Sequence, residues 1–514
     1  GIIPAMSVKS ILITTNVTAT GTGNTAETST FSVRYLEYRQ PVPEGYQWMY
    51  DPIDENKVLI FTDTDWQSKW FRNAFWHKEY VGVNGGSDRI RYAASVSYLK
   101  DNGVVAMSNY DVFTLHGSVS FNVTKNLQAG TTFDMSQQKK HIPNDNYYQP
   151  IGRGIIVAPT AMEKNAKGEW NQLGSNVNFH SPDWYESYYD RMNTTNRQSG
   201  TFFLKWDICK YLSANAQYNF FQQNYVGSYY AYGERDGVMN TVSTTRSTTE
   251  TRTQTTRHTF SAHLDYNQSI RDTHFLSATA GYEYMKQNYV YLTANGTGAV
   301  SDDVPVIQSG VNFTASNKEE NQVMISYFGR AQYDFKHRYI LSGTFRADAS
   351  SRFAPGNQWG FFPAGSLAWI ISEEPFWDKA ATRTNTFKFR ASYGQTGNNG
   401  IGLYDTYGAF ATDVYHNTSI LLPSKMQNSG MKWETTTQLD LGLDFGFWND
   451  RLRVVLDYYN KVTDNMLFSI TLPDTGTFSS VKANVGSARF YGFEAELHSV
   501  NIQKRNFSWS TDLT

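Results

Sequence analysis

The sequence predicts an all-β protein, a large antiparallel transmembrane β-barrel with long extracellular loops. Three observations carry that expectation. Apolar and polar residues alternate with period two through most of the chain, and many of the alternating arms run past the length usual for soluble strands. Connections are mostly short at one end of the hairpins, the Glu373–Asn385 crossing excepted, and often far longer at the other, the asymmetry of outer-membrane barrels. Connections that long count against a compact soluble domain.

Composition bounds the alternatives. The 514 residues carry 45 basic and 47 acidic side chains, so no nucleic acid is expected as a partner. Mean hydropathy is negative and no run reaches the roughly eighteen apolar residues of a membrane helix, which excludes a helical membrane protein. A barrel stays open, because a wet lumen dilutes the hydropathy of each strand. Aromatics make up 15% of the chain, with 34 Tyr and 32 Phe, as interfacial girdles require. Cys209 is the single cysteine, so no intrachain disulfide forms; a small hydrophobe at a strand end is its expected role.

In chain order, residues 1–60 are the least patterned, with a short β-like run at Ser10–Thr15. Asp63–Phe71 has an acid or Thr cap followed by aromatics at helical spacing and predicts a short helix. Hairpins then follow: His77–Val83 with Arg89–Leu99, Val112–Val123 with Leu127–Met135, and Arg197–Cys209 with Leu212–Phe221. Arg257–Tyr266 pairs with His274–Gln287, Gln322–Phe335 with Arg338–Ala349, and Gly360–Ser372 with Thr386–Gly394. The clearest hairpin is Thr435–Phe447, turned at Asn449-Asp450 into an arm holding Leu452, Val454, Leu456 and Tyr458. Leu439, Leu441, Leu443 and Phe445 are expected to face lipid, and Gln438, Asp440 and Asp444 the lumen. Val485–Ser499 and Phe507–Leu513 bring the total to roughly sixteen strands, and further C-terminal strands are expected to close the barrel. The long connections are Ser136–Asn196, Gln222–Thr256, Asn288–Asn321 and Gln395–Met431. Thr241–Thr259 is polar on both faces, so it must project above the bilayer or form a loop; threonine favours an extended projection.

No catalytic constellation is present, and neither an enzyme nor a cofactor is expected. His77-Lys78-Glu79 lacks the second His of a helical zinc motif, and Glu373-Glu374 and Asp63/Asp65 fit turns and caps better than metal sites. Loop aromatics are the suggestive feature: Trp184, Tyr185, Tyr188 and Tyr189 in one long connection, Tyr229, Tyr230 and Tyr232 in the next. Ring faces beside acids and amides suit sugar rings or peptides. These seven are the candidate substrate-binding residues of a rim above the bilayer; packing of loop against loop is the structural alternative.

Several runs resemble the SusC/RagA family of outer-membrane transporters. They are Tyr327-Phe328-Gly329-Arg330 with His337–Leu341, Arg346–Asn357 with Trp359-Gly360, Ser372–Phe376, Phe389–Asn398, Lys432–Gln438 with Gly442–Phe447, and Asn484–Ser487 with Gly492-Phe493-Glu494. The resemblance spans most of residues 63–514. It implies a TonB-dependent importer in the outer membrane of a Bacteroidota bacterium, a plugged barrel of about twenty-two strands. Residues 1–30 would hold the end of the plug domain and a linker, and residues 31–514 the barrel, with most of the plug and the last strands outside the chain. The implied partners are a SusD-like surface lipoprotein acting as a lid, the TonB complex through segments not in this chain, outer-membrane lipid, and an oligosaccharide or peptide substrate. A scaffold subunit without active transport, and a secreted β-rich binding protein or enzyme, are the alternatives.

Overall fold

Where one side of the chain meets an apolar medium and the other meets water, period two is the pattern a strand can satisfy, and strands dominate this molecule. A computed structural model describes residues 33–36, 39–141, 157–164, 168, 170, 181–233, 235–236, 242–243, 245–377, 384–416, 418–473 and 478–514. The run at Ser10–Thr15 and the expected plug remnant at residues 1–30 lie outside the described residues.

Strands β1 (Arg34–Tyr35), β2 (Gln47–Tyr50) and β3 (Val58–Phe61) form a small sheet, order β1-β3-β2, closed over Leu36, Val58 and Ile60. Helix α1 (Trp66–Trp70) follows; its N-cap Asp65 accepts from the Ser68 N–H at 3.0 Å, as the Asp63–Phe71 pattern predicts. The main sheet opens with β4 (Trp76–Gly86), β5 (Ile90–Asp101), β6 (Asn109–Asn122) and β7 (Leu127–His141). Helix α2 (Pro182–Tyr188) leads into β8 (Tyr189–Cys209) and β9 (Leu212–Ala231). A small ribbon, β10 (Arg235–Asp236) with β11 (Val242–Ser243), precedes three strands of 24 residues each, β12 (Ser247–Ile270), β13 (His274–Thr297) and β14 (Asn312–Phe335). Then come β15 (Tyr339–Ser350), β16 (Trp359–Ile370) and β17 (Thr384–Asn398), and a separate hairpin, β18 (Ala409–Tyr415) with β19 (Thr418–Lys425). Strands β20 (Glu434–Phe447) and β21 (Leu452–Asp464) precede another separate hairpin, β22 (Leu467–Thr471) with β23 (Ser480–Asn484), before β24 (Ser487–Lys504) and β25 (Phe507–Leu513). Sixteen of these strands form one antiparallel sheet in chain order, matching the sixteen expected, with β4 and β25 at its edges.

Two expectations are corrected. The segments read as long connections at 222–256 and 288–321 are largely strand: β9 runs to Ala231, β12 starts at Ser247, β13 runs to Thr297 and β14 starts at Asn312. With water on both faces the sequence loses its apolar alternation, yet the backbone ladder continues unbroken. Threonines 248–259 are accordingly strand, the projecting alternative. The Asn449-Asp450 turn is also longer than two residues: Trp448–Arg451 connects Phe447 to Leu452, with positive φ at Trp448, Asn449 and Asp450.

Hydrophobicity is inverted across the sheet. On β16, Phe361 and Leu367 are 59% and 42% exposed, whereas Ser366 on the opposite face is half-buried; on β15, Leu341 is 58% exposed and Ser342 half-buried. Phe202 and Leu204 on β8 repeat the pattern. Contiguous exposed apolar surface on this scale belongs against lipid. The other face carries cross-strand polar pairs: Thr201 to Asn219 at 2.9 Å, Thr279 to Asp265 at 2.7 Å, Ser342 with Ser366 at 2.6 Å, and Thr436 with Thr463 at 2.9 Å. Arg390 forks onto Asp444 at 2.7–3.0 Å and reaches Asp457 at 3.1 Å, tying β17, β20 and β21 together. Gly442 lies beneath that fork: a Cβ there would stand 2.5 Å from Asp457 Oδ1 and 2.6 Å from Arg390 Cζ.

Aromatic rings line two levels of the lipid face. Phe335, Tyr339 and Trp369 stack at 6.2–6.3 Å near the short turns, and Tyr327, Trp359 and Phe361 at 6.1–6.5 Å toward the long loops. From Phe335 to Tyr327 is about 27 Å of strand, about 20 Å of height at a 40° tilt, which fits the apolar band of an outer-membrane barrel.

Candidate functional site

Chemistry in this molecule concentrates at the loop end. Three buried assemblies hold that end in shape, and between them the tops of β8, β9, β12 and β13 expose a polar wall.

The first assembly joins the two helices. Trp66 and Trp70 of α1 pack with Met107, Ala161 and, from α2, Trp184 and Tyr185. Ser181 caps α2 by accepting from the Trp184 N–H at 3.3 Å. Trp184 and Tyr185 are only 5% and 8% exposed, and Tyr188 and Tyr189 are half-buried against the same cluster. The picture of seven open rings is thereby corrected: packing of α2 against α1 puts Trp184 and Tyr185 into a loop core. Tyr189 stacks on Tyr229 with centroids 5.7 Å apart, and the Arg191 guanidinium lies 5.6 Å from the Tyr229 ring centre.

The second assembly centres on Asp302. It accepts from Tyr230 OH at 2.8 Å, the Gly233 N–H at 3.0 Å and Arg246 Nη2 at 3.0 Å, while Tyr232 packs edge-on against Tyr230. Tyr230 is buried, so it too is closed off, whereas Tyr232 is half-buried. Burial and the hydrogen bond to Asp302 push the Tyr230 hydroxyl up to about 12. Burial alone would raise the Asp302 carboxyl, but the donors from Arg246, Gly233 and Tyr230 outweigh it and hold the group below its usual range.

The third assembly is a crown of loops over β14–β24. Phe353, Phe362, Ile401, Met431 and Trp433 form its core, and the Trp433 indole donates to Gln358 O at 2.9 Å. Arg352 reaches Ile401 O and Gln322 Oε1. Asp405 accepts from Lys425 of β19, from Lys482 of β23 at 2.6 Å and from the Gly402 N–H at 2.6 Å. Desolvation opposes ionisation of Asp405, but these donors bring its pKa down to about 2. The runs at Arg346–Asn357 and Lys432–Gln438 that stand out in the sequence therefore supply crown-building residues. Below the crown, a recess of about 640 Å³ on the polar face is lined by Phe328, Arg330, Arg346, Phe362 and Thr396. Arg346 is held there by Asp348 at 2.9 Å and Ser326 at 2.9 Å.

The wall itself follows from register. No bulge interrupts the pairing of β9, β12 and β13, so the face opposite Phe260 and Leu264 continues upward as one surface. It presents Arg197, whose Nε donates to Gln223 Oε1 at 2.7 Å, Tyr225, whose OH donates to Asn193 at 3.0 Å, and Thr251 paired with Thr293 at 3.1 Å. Arg257 lies over the Phe221 ring at 5.2 Å. Of the seven expected rings, Tyr189 and Tyr229 belong to this face. The sequence reading makes Arg197 and Arg257 the first residues of strand arms and gives them no binding role, because the residues above them read as loop or low complexity. Carrying the alternation further up would have shown that they belong to a continuous wall.

The paired acids are accounted for structurally. Glu374 accepts from Trp369 Nε1 at 3.1 Å and faces Arg338 at 3.5 Å, and Asp65 is the helix cap. Among the described residues no group of three His, Cys, Asp or Glu side chains is placed to hold a metal. Cys209 is exposed at the end of β8.

Comparison with known proteins agrees with this architecture. Residues 153–514 match the family model described as TonB dependent receptor-like, beta-barrel. The chain is 30% identical over 476 residues to TonB-dependent receptor P3 of Formosa agariphila, covering 89% of the chain and 47% of that protein. To TonB-dependent receptor SusC of Bacteroides thetaiotaomicron it is 27% identical, covering 87% of the chain and 47% of that protein. The solved structure of the RagAB peptide transporter superposes with a TM-score of 0.77 at 20% identity, over 88% of the chain and 51% of that structure's chain. The chain thus spans about half the length of these relatives. With its inverted sheet, polar inner face and loop crown, the chain belongs to the TonB-dependent receptor family of the bacterial outer membrane, whose β-barrel it carries.

Proposed function

We propose that this chain is the barrel portion of a SusC-like, TonB-dependent importer that moves large nutrients, oligosaccharides or peptides, across the outer membrane. The polar face that runs without a break from the membrane level into the projecting strands carries the reading, because it offers many weak, replaceable contacts along one path. Such contacts let a cargo enter and leave. A SusD-like lipoprotein would sit on the loop side. The free-standing hairpin of β18 and β19 suits that role, since Phe410 and Leu421 are 68% and 67% exposed above a crown that holds their base rigid. Residues 1–30 would end the plug, and energy would arrive through TonB-contacting segments of the whole protein. Transport of this kind needs no covalent chemistry.

The half-exposed Tyr188, Tyr189, Tyr229 and Tyr232 would contact cargo, with Trp184, Tyr185 and Tyr230 supporting them from the loop cores. Uptake of labelled oligosaccharide or peptide mixtures into cells carrying the whole protein tests this. Tyr229→Ala should reduce uptake several-fold with normal barrel assembly. Trp184→Ala should instead loosen the loop core, a truncation that costs about 3–5 kcal/mol at buried sites. Equal uptake with and without the protein would exclude the import reading.

A further inference from the structure

The upper wall is charged in one sense only. From the row of Ser199, Phe221, Arg257 and Gln287 upward, the inner-facing positions of β8, β9, β12 and β13 include Arg191, Arg197 and Arg257 and no carboxylate. The whole chain is nearly neutral, at a net −2, so this one-sided surface is not a by-product of composition. Among the described residues neither Arg197 nor Arg257 forms an ion pair: Arg197 is steadied by Gln223 and Arg257 by the face of Phe221. Both side chains are exposed. About 43 Å of strand separate Arg257 from the turn at Ile270, or about 33 Å of height at a 40° tilt, which puts the row above the apolar band. The two arginine Cα atoms stand roughly 12 Å apart, two strands across and two residues along.

We propose that this wall binds an anionic oligosaccharide, a sugar chain bearing carboxylate groups, and that Arg197 and Arg257 select it by its charge. The inference rests on the import reading and narrows its cargo. A guanidinium meets a carboxylate through two parallel N–H donors, which adds geometric fit to the charge. The remaining groups on the surface suit a sugar: ring faces at Tyr225 and Tyr229 for C–H edges, and Asn193, Gln223 and the threonines of β12 for hydroxyls. One common way to bind an extended peptide is through its main chain, at an unpaired strand edge. Among the described residues this wall offers little of one, because β9, β12 and β13 are paired on both sides through these rows and β8 is paired on both sides up to Met192.

The test uses the whole protein purified in detergent from outer membranes. Binding of a galacturonate hexamer is measured beside the same hexamer reduced at its carboxyls to a neutral chain, and beside hexaglutamate. The proposal expects the acidic sugar to bind at least ten-fold tighter than its reduced form. R197Q/R257Q should erase that ratio without weakening the neutral chain, and R197K/R257K should keep part of it, which separates lost charge from lost folding. Equal binding of the acidic and reduced hexamers, or an unchanged ratio in R197Q/R257Q, overturns it; so does hexaglutamate binding as tightly as the sugar acid. Uptake by whole cells is scored separately. Import of neutral sugars alone would sink this inference and leave the import reading standing, and charge-selective binding without uptake would do the reverse.

Discussion

At Asp440 and Leu441 two adjacent side chains meet opposite surroundings. Asp440 accepts from Ser392 at 3.2 Å and Gln438 at 2.7 Å on the polar face; Leu441 is 38% exposed on the apolar face, opposite Tyr458 and Ala391. Leu441→Arg would place a guanidinium in hydrocarbon and should destabilise the folded barrel by about 2–4 kcal/mol, whereas Asp440→Arg should be milder. Urea titration of each variant in bilayers measures the difference, and equal costs would mean that the sheet does not separate lipid from water. Gly442, on the Asp440 face, shows the same logic sterically, since only a residue without a Cβ leaves room for Arg390 between Asp444 and Asp457.

Among the elements, the free-standing hairpins β18–β19 and β22–β23 belong to no part of the main sheet, and their common fastening is Asp405. Its folded pKa of about 2 lies below the ordinary value of 3.8, so the carboxylate is worth more to the folded crown than to the unfolded chain. That contribution is complete above about pH 4 and is lost as pH falls through about 2. Hydrogen exchange across residues 402–425, corrected for the intrinsic rate, should therefore accelerate between pH 4 and pH 2 while β13 and β14 stay protected. Asp405→Asn should show the fast exchange at pH 6 already. A crown whose protection ignores both pH and the substitution would place its stability in the Phe353 and Trp433 core alone.

At the scale of the whole sheet, the absence of a central hydrophobic core among the described residues is the main physical fact. The larger buried clusters among the described residues are the small β1–β3 sheet, the α1–α2 contact and the crown, all beside or above the sheet. The sheet holds together through its backbone ladders, polar inner pairs and lipid contact, an arrangement that water alone would not support. The loop end then has a rigid base and an exposed apolar hairpin. Purification in mild detergent should recover a surface lipoprotein with the whole protein, over an interface of at least about 1,000 Å². Deleting residues 409–425 should release it without unfolding the barrel. Repeated isolation of the whole protein with no lipoprotein would remove the lid from the proposed mechanism.

The sequence by itself determined the strands where lipid lies on one side. There a misplaced residue costs kilocalories, so the period is strict, and Leu439–Phe445 could be assigned to a face with no structure in hand. It also determined the helix at Trp66–Trp70, whose cap is a local interaction, and the family, whose matching runs include crown-building residues such as Arg352, Phe353 and Trp433. Only the tertiary structure decided the rest. The upper halves of β9, β12, β13 and β14 carry no apolar signal because water wets both faces, and pairing between distant strands is what makes them strand. Trp184 and Tyr229 are both aromatic loop-end residues in the sequence. One becomes core and the other wall because burial depends on which helix packs behind a ring, a contact that composition and spacing do not encode.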